Sequence, residues 1–143
     1  KDLSFGVISF YKAQADLIRK QLRTIADDDK KLRVGTVDSF QGMEFDVVFL
    51  SMVRTMPSRE SIEACKRRVI SKGESWTASK EAQFCFGHLC LYNRLNVSMS
   101  RQKKLLVVVG DTGALQNQLA EDFVPGLVDF LQLCRREGVV LPC

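Results

Sequence analysis

The sequence has no Gly-x-x-x-x-Gly-Lys-[Ser/Thr] run, so no loop of its own wraps phosphates in backbone N–H groups. It also lacks an Asp-Glu pair closing an apolar strand, which would hold Mg²⁺ and an attacking water. No apolar stretch approaches the ~20 residues that a membrane-spanning helix needs, so no membrane contact is expected. The start, Lys1-Asp2-Leu3, runs from charge straight into a strand pattern and does not read as a secretory signal. The cysteines are Cys65, Cys85, Cys90, Cys134 and Cys143, an odd and scattered set. That set argues against a disulfide framework and for reduced thiols in the cytoplasm. Cys85, His88 and Cys90 crowd together, but no fourth ligand stands at a zinc spacing, so small core thiols and no metal are expected. Internal repeats and low-complexity tracts are absent too.

What is present suits one folded domain: 143 residues, 45% of them hydrophobic. The net charge of +4 permits contact with phosphates without requiring it. The abrupt start and stop lead to the expectation of a single domain, 1–143, cut from a larger protein. Phe5 to Phe10 reads as a buried parallel strand. Lys12 to Ala26 has helical period, with Ala15, Ile18, Leu22 and Ile25 on one face. Asp27 to Lys31 reads as a charged surface loop. Strands are expected at Leu32–Val37 and Asp46–Val53, giving the β-α-β-turn-β order of an α/β layered domain. From about 56 to 84, Pro57, Gly73 and several serines interrupt the pattern. A surface helix through Ile62, Cys65 and Val69, followed by a loop, is expected there as an insertion. Leu89–Arg101 reads as a helix and Lys104–Gly110 as the most strongly patterned strand. A short helix capped by Asp111 or Thr112 and running through Gln118 is expected, then a helix from Pro125 to Arg136 stopped by Gly138. Leu127, Phe130, Leu131 and either Leu133 or Cys134 would face inward, and Val139-Val140-Leu141 would add a last strand.

The chain is organised around Val34 to Arg54, a strand, a tight polar turn and a buried strand. The turn packs Asp38, Ser39, Gln41, Gly42 and Glu44 into a few residues. In an open parallel sheet, ligands sit beyond the carboxyl ends of the strands. Gly and Asp are also plain turn formers, so the same residues fit an ordinary connection.

Three stretches carry a resemblance. Thr36-Val37-Asp38-Ser39-Phe40-Gln41-Gly42-Met43-Glu44 resembles motif V of superfamily 1 helicases, in the branch of the nonsense-mediated-decay RNA helicase and related DNA and RNA helicases. Asn93-Arg94-Leu95-Asn96-Val97-Ser98-Met99-Ser100-Arg101 resembles motif VI, with Ser98 and Ser100 where Ala and Thr are commoner and Gln102-Lys103 for a usual Ala-Arg. Ile8-Ser9-Phe10-Tyr11-Lys12-Ala13-Gln14 resembles motif IV, with Phe10 for the usual Pro. The three follow family order from about Gly6 to Gly110, and the connection between motifs V and VI is longer than the family's usual one.

The resemblance implies a RecA-like P-loop NTPase fold, second lobe: a mainly parallel sheet with helices on both faces. It implies the C-terminal motor domain of an ATP-dependent helicase or translocase, with the phosphate loop and Mg²⁺ ligands on an N-terminal RecA-like lobe of the same polypeptide. ATP with Mg²⁺ and single-stranded DNA or RNA would be its ligands. Arg101 would reach the γ-phosphate as an arginine finger. Tyr11 would stack on adenine beside Gln14, Gly42 would let backbone approach the nucleotide, and Glu44 would accept from the ribose hydroxyls. Thr36, Ser39 and Arg54 would meet strand phosphates. A non-enzymatic α/β nucleic-acid or protein-binding module descended from such a lobe is the alternative, and a flavodoxin-like regulator would need an acidic pocket but not Arg101.

Overall fold

The computed structural model describes residues 2–23 and 31–142. Its elements are β1 (Phe5–Ser9), α1 (Lys12–Leu22), β2 (Leu32–Thr36), β3 (Phe45–Ser51), α2 (Arg59–Ser71), α3 (Ala78–Phe86), α4 (Tyr92–Met99), β4 (Gln102–Val109), α5 (Gln118–Phe123) and α6 (Pro125–Glu137). Short 3-10 turns cover Val37–Phe40, Gly87–Cys90 and Thr112–Leu115. The chain gathers into two compact units, Lys1–Val53 with Leu91–Gly110, and Arg54–Cys90 with Asp111–Cys143.

The first unit holds a parallel four-stranded sheet in the order β2-β1-β3-β4, flanked by helices. All strands point the same way, so Ser9, Thr36 and Ser51 stand abreast at the carboxyl edge. Phe45 and Gln102 stand abreast at the amino edge. The crossover helix α1 packs on β1 and β2 with Ala15 buried. It ends at Leu22; Ile25, the rest of the expected helix and most of the acidic loop lie outside the described residues. On the central strands Ile8, Val48 and Leu50 lose all exposure, as does Phe40 from the turn. Phe40 seats there because Gly6 leaves room: a Cβ on Gly6 would lie 2.9 Å from the Phe40 ring. The edge strand β4 is apolar yet part open, with Leu105 and Val109 exposed.

The second unit is helical among its described residues. Ser58 caps α2, accepting from the Ser61 N–H, and Thr77 caps α3, accepting from the Lys80 N–H. The loop expected after α2 is thus corrected: it contains α3, whose Ala82, Cys85 and Phe86 are buried and which packs on α5. Three apolar residues at helical spacing in a nine-residue helix gave too short a period to read beside Gly73 and the serines. The helix expected to run through Gln118 is instead a 3-10 turn started by Asp111, then a separate α5 capped by Asn117. In α6 Leu127, Val128 and Leu131 are buried, Cys134 is half-buried and Leu133 is exposed. Gly138 ends α6 with φ −119°, so it terminates the helix without the left-handed turn. The last strand expected at Val139–Leu141 is not formed; these residues are exposed and pair with no strand. Apolar β-branched content alone does not make a strand without a neighbour to pair with.

Candidate functional site

Thr36 ends β2, and the eight residues that follow descend across the sheet to Phe45 at the amino edge. The Val37–Phe40 turn tightens this path, closed by Ser39 Oγ donating to the Thr36 carbonyl at 2.7 Å. Gly35 permits that closure, since a Cβ there would lie 2.3 Å from Ser39 Oγ. Arg33 lies over the Phe40 ring, 5.9 Å from its centroid, and donates to the Ser39 carbonyl at 3.4 Å. The loop turns at Gly42, where φ is +77° and a Cβ would meet nothing within 4 Å. Gly42 is therefore required by the left-handed backbone and not by close packing.

At the amino edge the strand register brings Glu44 and Arg101 together. The Phe45 N–H donates to the Arg101 carbonyl at 2.9 Å, so the residues preceding β3 and β4 are neighbours. Arg101 is half-buried; its Nη2 donates to Ser100 Oγ at 2.8 Å and its Nη1 to the Met43 carbonyl at 3.5 Å. Its Nε is buried with no hydrogen-bond partner among the described residues. Ser98, in place of the family's Ala, is fully buried and turns its hydroxyl back onto the Leu95 carbonyl at 2.8 Å. Glu44 is exposed, 3.7 Å from Lys103 Nζ. It precedes a strand and not a helix, so it caps nothing.

Asp46 fastens this edge and went unnoticed in the sequence. One carboxylate oxygen accepts from the Ser4 N–H at 3.0 Å and the Ser4 hydroxyl at 2.9 Å, and the other pairs with Lys104 at 2.8 Å. The Lys104 hydrogen bond first, and the two Ser4 bonds after it, hold its carboxyl well below the usual carboxylate range.

The carboxyl edge holds the other group. Tyr11 begins α1 two residues past β1, its N–H donating to buried Ser9 Oγ at 3.3 Å, and Gln14 lies one turn on. Thr36 and Ser39 share this edge. The strand register therefore sets Tyr11 and Gln14 at the carboxyl edge and Glu44 and Arg101 at the amino edge. β1 alone, at ~3.3 Å per residue, separates the two sets by roughly 16 Å.

Arg54 leaves the carboxyl end of β3 and belongs to the second unit. Its Nη1 donates to the Phe84 carbonyl at 3.2 Å, satisfying one of the carbonyls left open at the end of α3. The Val53 backbone just before it has φ +64°, a strained value for a β-branched residue. In the same unit the Trp76 indole N–H donates to Glu81 at 3.0 Å. Cys85 is buried, the Cys90 thiol donates to the Ala82 carbonyl at 3.5 Å, and burial pushes both thiols up. His88 is exposed, and among the described residues no three His, Cys, Asp or Glu side chains gather as metal ligands. No described helix is long and apolar enough to cross a membrane.

Comparison with known proteins agrees with the architecture. A family model described as an AAA domain matches residues 1–113. DNA polymerase alpha-associated DNA helicase A of Saccharomyces cerevisiae is 37% identical over 116 residues, 79% of this chain and 13% of that protein. The putative helicase MOV-10 of Gallus gallus is 30% identical over 139 residues, 93% of this chain and 12% of that protein. The probable helicase senataxin of Homo sapiens is 32% identical over 130 residues, 85% of this chain and 4% of that protein. The chain belongs to this AAA-domain family and is a RecA-like α/β domain of the superfamily 1 helicase type. It spans a small fraction of the length of the relatives it matches.

Proposed function

We propose that the chain is the second motor lobe of an ATP-dependent superfamily 1 helicase or translocase, with a nucleotide-facing amino edge and a strand-facing carboxyl edge. The observation that carries this reading is the register of β3 and β4, which sets Arg101 beside Met43 and Glu44. Phosphoryl transfer needs positioning and positive charge on the γ-phosphate more than covalent help. Arg101 supplies that charge from a guanidinium already gripped by Ser100 and Met43, with Nε still unpaired among the described residues. Glu44, exposed on the same edge, takes the ribose hydroxyls, and Gly42 shapes the loop between them.

Thr36, Ser39, Tyr11 and Gln14 form the strand-facing set. Hydroxyls and backbone N–H groups there bind phosphate without reading sequence, and the Tyr11 ring offers a stacking face. Arg54 we read as an anchor for α3 and not as a phosphate ligand. The N-terminal RecA-like lobe of the same polypeptide supplies the phosphate loop and the residues that hold Mg²⁺. ATP closes the two lobes and hydrolysis opens them, shifting grip along single-stranded DNA or RNA.

The test is ATP turnover by the full-length protein and by this chain alone. The full-length protein hydrolyses ATP, faster with single strands; the isolated chain does not, because half of the positioning apparatus is missing. Sustained turnover by the pure isolated chain would contradict the two-lobe reading.

A further inference from the structure

We propose that Asp38 and Arg94 form a positioning pair that couples strand contact to ATP turnover; this rests on the motor-lobe reading and deepens it. Arg94 Nη2 donates to Asp38 Oδ2 at 2.9 Å, joining residues 56 apart in sequence. Val37, Gln41, Asn93 and Val97 surround them in a shallow depression of about 180 Å³. Asp38 lies between Thr36 and Ser39, the hydroxyl residues of the strand-facing edge. Arg94 lies in the first turn of α4, which packs on the Val37–Phe40 turn. From there α4 leads toward the amino edge, its eight residues spanning about 12 Å. It delivers Ser100, whose hydroxyl accepts from Arg101 Nη2. The pair therefore fastens the segment a strand would touch to the helix that positions the arginine.

The geometry fits coupling better than a purely structural role. Asp38 is mostly exposed and Arg94 about one-third exposed, and pairs this wet add little to stability. Buried Leu95 already holds α4 by its apolar face. What the ion pair adds is a direct link, one Nη2–Oδ2 bond, between the Val37–Phe40 turn and the first turn of α4. Asp38 and Arg94 touch neither nucleotide nor strand in this scheme; they act through α4 and Arg101.

The experiment measures the ratio of strand-stimulated to unstimulated ATP turnover in the full-length protein, with saturating single-stranded DNA and single-stranded RNA oligonucleotides in turn. Asp38→Asn and Arg94→Gln should each lower the ratio by about 2- to 30-fold, the range of coupling effects for such contacts. Unstimulated turnover, strand affinity and melting temperature should hold. The charge exchange, Asp38→Arg with Arg94→Asp, should recover much of the ratio. Full stimulation in both single variants overturns the inference, as does a folded exchange protein that is no better than they are. Should a single variant fail to fold, the exchange protein decides: stimulation supports the pair, and a folded protein without stimulation overturns it. Arg101→Ala is measured alongside. Loss of turnover there with full stimulation in the pair variants removes this inference alone, whereas no ATP turnover in the unaltered full-length protein removes the motor-lobe reading beneath it.

Discussion

Arg101 Nη1 donates to the Met43 carbonyl at 3.5 Å, tying the residue before β4 to the loop before β3 across 58 positions of sequence. On the motor-lobe proposal, a guanidinium held this way would enter the transition state with little reorganisation. In the full-length protein Arg101→Ala should lower kcat by on the order of 10³-fold or more while ATP KM moves only a few-fold. Arg101→Lys should restore little, since an ammonium cannot span the Ser100 and Met43 acceptors and still face a phosphate. Steady-state ATPase assays decide; unchanged turnover in a folded Arg101→Ala protein would leave the residue a structural tie.

Tyr11 stands on the opposite edge from Arg101 and should behave differently. Tyr11→Ala in the full-length protein should weaken single-strand binding by about tenfold, the loss of one stacked base, and leave ATP KM near its original value. Fluorescence anisotropy with short oligonucleotides gives the first quantity and ATPase titration the second. A variant that raised ATP KM alone would return Tyr11 to the nucleotide.

The three backbone positions make a graded series in chemical denaturation. Gly35→Ala should cost about 1–3 kcal/mol, because its Cβ would displace Ser39 Oγ from the Thr36 carbonyl. Gly42→Ala has open space around it and should cost about 1–2 kcal/mol from its positive φ alone. Val53→Gly should stabilise by about 1 kcal/mol as the strained φ is relieved. A destabilised Val53→Gly would show that the valine side chain contributes more than its backbone costs.

Asp46 makes stability acid-sensitive. Its folded-state pKa is depressed below the ordinary 3.8 by Lys104 and Ser4, so its contribution is full above that value. It is lost as pH falls through the lower folded-state pKa. Thermal melting of the native chain and Asp46→Asn should therefore differ most above pH ~4 and converge in stronger acid. A constant difference across that range would assign Asp46 a packing role only.

Limited trypsin digestion should cut first after Lys72, in the turn Lys72–Trp76, and later after Arg67 and Arg68. Lys72 is the C-cap just past α2 and is exposed beside Gly73, while both arginines lie inside the helix and need local unwinding. Mass spectrometry of early fragments separates the two orders. First cuts at Arg67 or Arg68 would show that α2 frays before its end.

The sequence by itself determined the four strands and the helices α1, α2 and α6, in their order. Continuous apolar runs fixed the strands, helical spacing fixed α1, α2 and α6, and the stretches at Tyr11, Gln41-Gly42 and Ser100-Arg101 carried the family resemblance. These are signals with a period or a fixed local spacing, and both are legible along one dimension. Tertiary structure alone decided which residues meet. Strand direction and the order β2-β1-β3-β4 sent Tyr11 and Thr36 to one edge and Glu44 and Arg101 to the other. Pairings over long sequence distance, Arg94 with Asp38, Ser4 with Asp46 and Arg101 with Met43, leave no trace in spacing. Nor could composition tell that Ala78–Phe86 would find a face to bury against α5, or that Val139–Leu141 would find no strand to pair with. Short segments lack the propensity to settle their own state, and the neighbour they acquire in three dimensions settles it for them.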